Sequence, residues 1–452
     1  MHKNWMMVLV AIVAVGAMDC KKKTEESAQP AANAPVEPTG PTTPTEPAKA
    51  VEPVKEPTEP ATPTQEPTEP AQVEGPGALL DKAIEAVGGL ENLKTKTAAA
   101  TMETEGKFFG QPYKAINYFK APGTSVMVIA EMEMSMGRSA DSCWSTMGEI
   151  VVDCSKTEKE ESDEMAASMA AMMLYPLKGE GVTLEDAGES DLNGTAAVGV
   201  KASGGFLKMP VTLYFDKTSN ALLRIAYEGH FMGQVGPVEI NYSNVKDFDG
   251  LKLPANSTMT LGGKVLIEET IVSVKWGEVD EAKLAKPAQV AFGETKIKAM
   301  PEHLVAVTKV TGPYDKLGEG VKALFGWVMS KNLVPMMAYP TFIFVKGPGD
   351  TQNPEEYETL VGLAVFPPAE MPAAEEGFEV KTMPAGEMAW MLQQGPPMEA
   401  AGHYEELAKW IEENGYAITE GQAAAMMMLG NPEETPAEQL LEVLFFPVTK
   451  KE

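Results

Sequence analysis

Two stretches of this chain carry the same residues in the same register. Lys298, Met300-Pro301, Gly312-Pro313, Leu324 and Trp327 recur as Lys381, Met383-Pro384, Gly395-Pro396, Leu407 and Trp410, each 83 positions later. Each copy reads strand, strand, amphipathic helix, strand, strand, and each closes on Phe-Pro, at Phe366-Pro367 and Phe446-Pro447. The Phe-Pro offset is 80, which implies that one loop differs in length. A duplicated unit of this kind buries its apolar face against its twin, so the stretch from Glu294 to Pro447 is expected to form one pseudo-symmetric α+β domain. The seam between the copies is the natural place for a ligand cleft.

The helices of the repeat are legible as stripes. Leu317, Val321, Leu324, Phe325 and Val328 fall on one helical face, as do Tyr404, Leu407, Ala408 and Ile411. The Gly-Pro turn before each helix suits a helix start, since glycine takes unusual dihedrals and proline is tolerated in a first turn.

Upstream, residues 78–287 alternate in the manner of an antiparallel meander. Strand-like runs include Ala98 to Glu105, Tyr113 to Phe119, Ser125 to Met134, Val211 to Phe215, Leu222 to Glu228 and Lys264 to Val274, with turns at Asn193-Gly194 and Asp249-Gly250. A helix at Ala78 to Val87 precedes them and ends at Gly88-Gly89. A second, from Glu161 to Leu174, places Met165, Met169, Met172 and Met173 on one face. A large antiparallel sheet curved around a helix or two is the economical solution. Met132, Met134 and Met136 alternate, as residues on one face of a strand do. With the helical methionines they could line a lipid-like ligand, hold Cu(I) through thioethers, or fill core. As a candidate lipid-cavity set we take Met132, Met134, Met136, Met165, Met169 and Met172.

The first 77 residues read differently. Lys3 precedes an apolar run from Trp5 to Met18, too short to span a bilayer comfortably and suited to a secretory signal. The run ends at Cys20, which resembles the lipid-modified cysteine of a bacterial lipoprotein. Asp19 stands where that pattern has a small residue, so cleavage after Ala17 or an uncleaved anchor compete with lipidation. From residue 21 to 77 Pro, Glu, Thr and Ala dominate, with Glu56-Pro57-Thr58-Glu59-Pro60 repeated as Glu66 to Pro70. Such a segment buries too little to offset chain entropy and is expected to be an extended, disordered tether.

Of three cysteines, Cys143 and Cys154 remain once Cys20 is set aside. A close pair flanking a turn at Gly148 suggests a local disulfide in an exported chain. The four histidines are scattered singly, so no metal site and no cofactor is expected. With 37 Lys plus Arg against 65 Asp plus Glu, the surface repels phosphate backbones and excludes nucleic acid as a partner of the whole chain. There is no Gly-x-Ser-x-Gly elbow, His-Glu-x-x-His helix or P-loop.

Two family resemblances follow from these residues. Ala83 to Leu90, Leu213-Tyr214-Phe215-Asp216-Lys217-Thr218 with Leu222-Leu223-Arg224, Asn241 to Val245, and Phe248 to Pro254 together resemble the outer-membrane lipoprotein-sorting (LolA-like) superfamily. That resemblance implies an unclosed barrel with a helical lid around an apolar cavity for acyl chains. Thr311 to Gly318, the Asn431-Pro432 tail, and Leu441-Glu442-Val443 ahead of Phe446-Pro447-Val448 resemble the GyrI-like small-molecule-binding domain, also the effector-binding domain of some AraC- and MerR-type regulators. It implies two fused βαββ-like units with an aromatic-lined cleft and, in many members, an acidic residue that neutralises a cationic ligand. At the corresponding positions this chain has Met426 and Met428, while Glu442 remains available to face the cleft. Tyr339, Trp390 and Tyr404 are the candidate aromatic walls.

The expectation is therefore an exported, tethered two-domain lipoprotein of the cell envelope, facing periplasm or cell surface. It would bind hydrophobic small molecules or acyl chains without turnover. The alternatives are ester hydrolysis through Glu442 and a structural or interaction protein whose cavities are filled.

Overall fold

The computed structural model describes residues 75–231, 234–337, 339–368, 370–375 and 377–451. The stretches read above as a signal segment and a tether, with Cys20 between them, lie outside the described residues except for residues 75–77. The helices are α1 (Pro76–Val87), α2 (Leu90–Lys96), α3 (Lys156–Met172), the single turn α4 (Glu281–Leu284), α5 (Leu317–Ser330) and α6 (Ala400–Glu413). None of the described helices is long and apolar enough to cross a membrane.

The first sheet has thirteen strands. They are β1 (Ala99–Phe108), β2 (Gln111–Lys120), β3 (Thr124–Ile129), β4 (Met134–Arg138), β5 (Cys143–Met147), β6 (Ile150–Asp153), β7 (Val182–Leu192), β8 (Thr195–Gly204), β9 (Val211–Asp216), β10 (Leu222–Phe231), β11 (Gln234–Phe248), β12 (Leu251–Leu261) and β13 (Lys264–Trp276). Their order is β6-β5-β4-β3-β2-β1-β13-β12-β11-β10-β9-β8-β7. All neighbours are antiparallel, and β6 and β7 are the two edges of an open, curled half-barrel. Residues on the concave face, among them Phe108, Tyr113, Leu213, Ile225, Val238 and Met259, are buried, whereas Lys107, Lys114 and Glu268 on the convex face are exposed. Helix α3 packs on β10, and α1 on β12 and β7. The chain enters α1 at Pro76, two residues before the sequence pattern suggests, because proline at the first helical position lacks the N–H that no partner would satisfy. Met132 is not in a strand: Ala130–Met132 forms a 3-10 turn and Glu133 takes a left-handed conformation (φ 51°), so only Met134 and Met136 share the β4 face.

The second sheet contains β14 (Thr295–Met300), β15 (His303–Thr311), β16 (Thr341–Lys346), β17 (Glu358–Val365), β18 (Phe378–Met383), β19 (Gly386–Gln394), β20 (Tyr416–Ile418), β21 (Ala425–Leu429) and β22 (Leu441–Lys450). The path is β14-β19-β22-β21-β16-β17-β15-β18, with β20 on β22. Exchanging the two copies of the repeat reverses this order onto itself, so a pseudo-twofold axis runs between β16 and β21, where Phe342 faces Met426. Each copy lends its first strand to the other: β14 pairs with β19, and β18 with β15. The ladder corrects one inference from the Phe-Pro spacing. Phe344 pairs with Thr359 as Met428 pairs with Glu442, which carries the 83-residue register into the last strand. Phe446 then packs with the helix-side core and Phe366 with the other face, so the two Phe-Pro pairs are not structural equivalents.

Alternation along these strands gives the second sheet two buried faces. Leu444, Val448, Met426 and Met391 pack under α5 and α6 with Leu324, Trp327, Leu407 and Ile411. On the reverse, Val443, Leu392 and Leu429, with Tyr339 and Phe366 from the connecting segments, join the core of the first sheet. In the first sheet the β5–β6 hairpin is closed by the Cys143–Cys154 disulfide. Gln289 pairs with the free edge of β6, accepting from the Val151 N–H (3.0 Å) and donating to its carbonyl (2.6 Å). An edge strand that would otherwise template association is thereby capped by one side chain.

Candidate functional site

The helix side of the second sheet carries the residues best suited to meet a ligand. Glu442 on β22 lies between Gln393 on β19 and Met428 on β21 in one transverse row. It is 2% exposed, and its Oε1 has no hydrogen-bond partner. Gln393, the polar neighbour in that row, directs Nε2 at the Met391 sulfur (2.9 Å). Burial without a compensating charge pushes the Glu442 carboxyl up to about 7. The first copy of the repeat has Thr359 in the equivalent place, so the duplication has one carboxyl rather than two.

An aromatic group adjoins this carboxyl. Tyr404 of α6 meets Phe446 edge-on (centroids 5.6 Å) and Phe344 at 6.2 Å, while Tyr314 contacts Phe344 (5.6 Å) and Tyr357 (5.3 Å). The Tyr404 phenol donates to the Ala425 carbonyl (2.8 Å), and burial with the nearby Glu442 charge pushes its ionisation up. A polarizable, apolar wall around one carboxyl can hold a flat or amphipathic molecule and read whether it brings a proton or a positive charge.

Of the residues singled out from sequence, Tyr404, Met426, Met428 and Glu442 share this face. Tyr339 and Trp390 do not: both lie on the reverse face, packed into the core shared with the first sheet. Strand parity explains it, since Trp390 is one residue from Met391 and so points the opposite way. Phe344, Phe446 and Tyr314 were missed, although Phe344 sits two residues from the axis pair and alternation alone could have found it. Met132, in the turn before β4, and Met134 on β4 are buried, Met136 on β4 and Met165 and Met172 on α3 pack partly buried against the same core, and Met169 of α3 is 48% exposed. Among the described residues no group of His, Cys, Asp and Glu is placed to hold a metal ion.

An open half-barrel joined to a duplicated α+β sheet defines the class of architecture. Residues 293–449 match the family model described as the GyrI-like small molecule binding domain. Among solved structures, the EcmrR–DNA complex is similar at 16% identity over 35% of this chain and 58% of that one (TM-score 0.30), so this chain spans little more than half of that protein. A hydrolase from Listeria innocua is similar at 16% identity over 35% of this chain and 93% of that one (TM-score 0.28). A LolA superfamily protein from Nitrosomonas europaea is similar at 11% identity over 47% of this chain and 99% of that one (TM-score 0.34). No curated protein matches the sequence.

Proposed function

We propose that this protein binds hydrophobic small molecules without turning them over, in the cleft on the helix side of the second sheet and in the concave face of the first. The observation that carries the reading is Glu442, a buried carboxyl with an unpartnered oxygen beside Met428 and next to the Tyr404 cluster. Leaving such a group unpaired costs about 1–3 kcal/mol, a cost that a donor-bearing ligand would relieve. The match of residues 293–449 to a small-molecule-binding family supports it. On this reading the segment ending at Cys20 is the membrane anchor and residues 21–77 its tether, and both sites work in the cell envelope.

The test compares a lipophilic cation, tetraphenylphosphonium, with neutral triphenylphosphine oxide at about pH 6 and about pH 8.5, either side of the Glu442 transition. The cation should bind more tightly at the higher pH, the neutral compound equally at both, and Glu442→Gln should remove the difference. If neither compound binds the full chain, the cleft is filled and the reading falls. The mass of the mature N-terminus, purified from membranes, tests the anchor. A carboxyl that titrates near neutrality is also what general acid–base chemistry needs, so ester hydrolysis is the second reading. Turnover that disappears in Glu442→Gln would favour it.

A further inference from the structure

A polar row crosses the concave face of the first sheet. Tyr113 on β2, Gly106 on β1, Glu269 on β13, Ser257 on β12 and Tyr242 on β11 are successive ladder partners across five strands. The row toward one rim runs Gln111, Phe108, Ile267, Met259 and Ile240, and on the other side Ala115, Thr104 and Ile271 are ladder partners, so apolar residues predominate on both sides. The row is arranged rather than incidental. A Cβ on Gly106 would lie 2.2 Å from the Glu268 carbonyl oxygen, so the β13 backbone requires glycine here, and the Tyr113 ring lies against the bare Cα, 3.1 Å from where that Cβ would be. The Tyr113 hydroxyl thereby reaches Glu269 Oε1 at 3.1 Å. Thr104 donates to the same carboxyl and accepts from Asn117 (3.0 Å).

Polar groups continue toward the helix. Tyr227 lies near Tyr242 and bonds Ser168 of α3, and Glu164 of α3 bonds the His230 ring and backbone N–H, both at 2.9 Å. Glu269, Ser257 and Tyr242 remain only half-buried, although burial pushes the Glu269 carboxyl and the Tyr242 phenol up. All three therefore keep accessible surface on the concave face. Tyr113 and Thr104 supply two donors, against the roughly four acceptor positions of a carboxylate. A bare hydrocarbon lying along this face would desolvate the row and return no hydrogen bond.

We propose that this row is a head-group site. The first sheet takes an amphiphile whose hydrogen-bond-donating group, amine or hydroxyl, is seated on Glu269 between Tyr113 and Tyr242, with its apolar part along the half-buried Ile267 and Leu261. This rests on the reading above that the concave face holds hydrophobic ligands, and it specifies which ones.

Decylamine, decanol and decanoate, titrated below their micellar concentrations into the full chain, separate the possibilities. The amine and the alcohol should bind at least about tenfold more tightly than the carboxylate, the gain expected of a hydrogen bond to a charged group. Glu269→Gln should erase the amine's advantage, and Glu268→Gln, on the exposed convex face, should leave it intact. Equal binding of all three to the unmodified chain overturns the head-group site while the hydrophobic-ligand reading stands. Survival of the preference in Glu269→Gln assigns the amine to another site and equally overturns it. Should none of the three bind, the underlying reading of the concave face fails instead. If Glu269→Gln does not fold, Glu269→Asp, which keeps the charge but withdraws it from Tyr113, should weaken the preference instead, and an unchanged preference overturns the site.

Discussion

Glu434, in a loop of the second sheet, accepts hydrogen bonds from the backbone N–H of Thr157 (3.0 Å) and from its hydroxyl, and so caps the first turn of α3 against the first sheet. Ser155 and Glu158 form a capping box on the same turn, so the helix start is held from both sides. Desolvation opposes ionisation of Glu434, but the donors from Thr157 prevail and hold its carboxyl below the usual range. Charge at a helix N-terminus is stabilising.

Removing that cap should loosen the joint between the sheets. Glu434→Ala is expected to cost about 1–2 kcal/mol of unfolding free energy in urea. Because the folded value is depressed, the contribution is present above the unfolded value and lost as pH falls through the folded one. The difference between variant and parent should therefore shrink in acid, and a constant difference would refute the electrostatic account.

Glu442 has the opposite sign. Its carboxyl rises from the usual 4.5 to about 7, so the folded protein holds a proton that the unfolded chain has already released. Neutral Glu442 contributes fully below about 4.5, and that contribution is lost as pH rises through 7. Glu442→Met should then be more stable than the parent at alkaline pH, by on the order of 2–3 kcal/mol, with the gap closing toward pH 4.5. Thermal unfolding across this range reads it directly, and parallel curves would show that a ligand or partner already neutralises the group.

Reduction of Cys143–Cys154 opens a loop with a sequence separation of 11 residues. The chain-entropy account predicts a loss of about 3 kcal/mol. Cys154 immediately precedes the Ser155 cap, so amide exchange should accelerate first at the start of α3, not in β10. Uniform acceleration would mean that the disulfide acts on global stability alone.

Gln289→Ala removes both partners from the Val151 backbone on the edge of the first sheet. An expected loss of about 1–2 kcal/mol should be accompanied by faster exchange of the Val151 amide. Unchanged exchange there would show that another group takes over the edge.

Much of the architecture was legible because it is written in local periodicity. The repeat announced two equivalent units, the stripes around Leu324 and Leu407 located their helices, and alternation around Leu213 and Ile225 marked a sheet with one apolar face. The close pairing of Cys143 with Cys154 was readable for the same reason: the two lie near each other in the chain. Parity was harder. Trp390 and Tyr339 are aromatic and near the seam, but which face they occupy depends on which strands flank them, and that exchange between copies is a long-range event. Met132 failed as a strand residue because a single left-handed residue, Glu133, breaks the alternation.

What the sequence determined by itself was the content and order of the elements, since 2.0- and 3.6-residue periods are properties of neighbours along the chain. What only the tertiary structure decided was which side chains meet. The row from Tyr113 through Glu269 to Tyr242 joins residues more than a hundred positions apart, and Glu434 reaches a helix 277 residues earlier. Ladder register and face set those meetings, and both are settled by how the sheets close on their cores rather than by any residue's own preference.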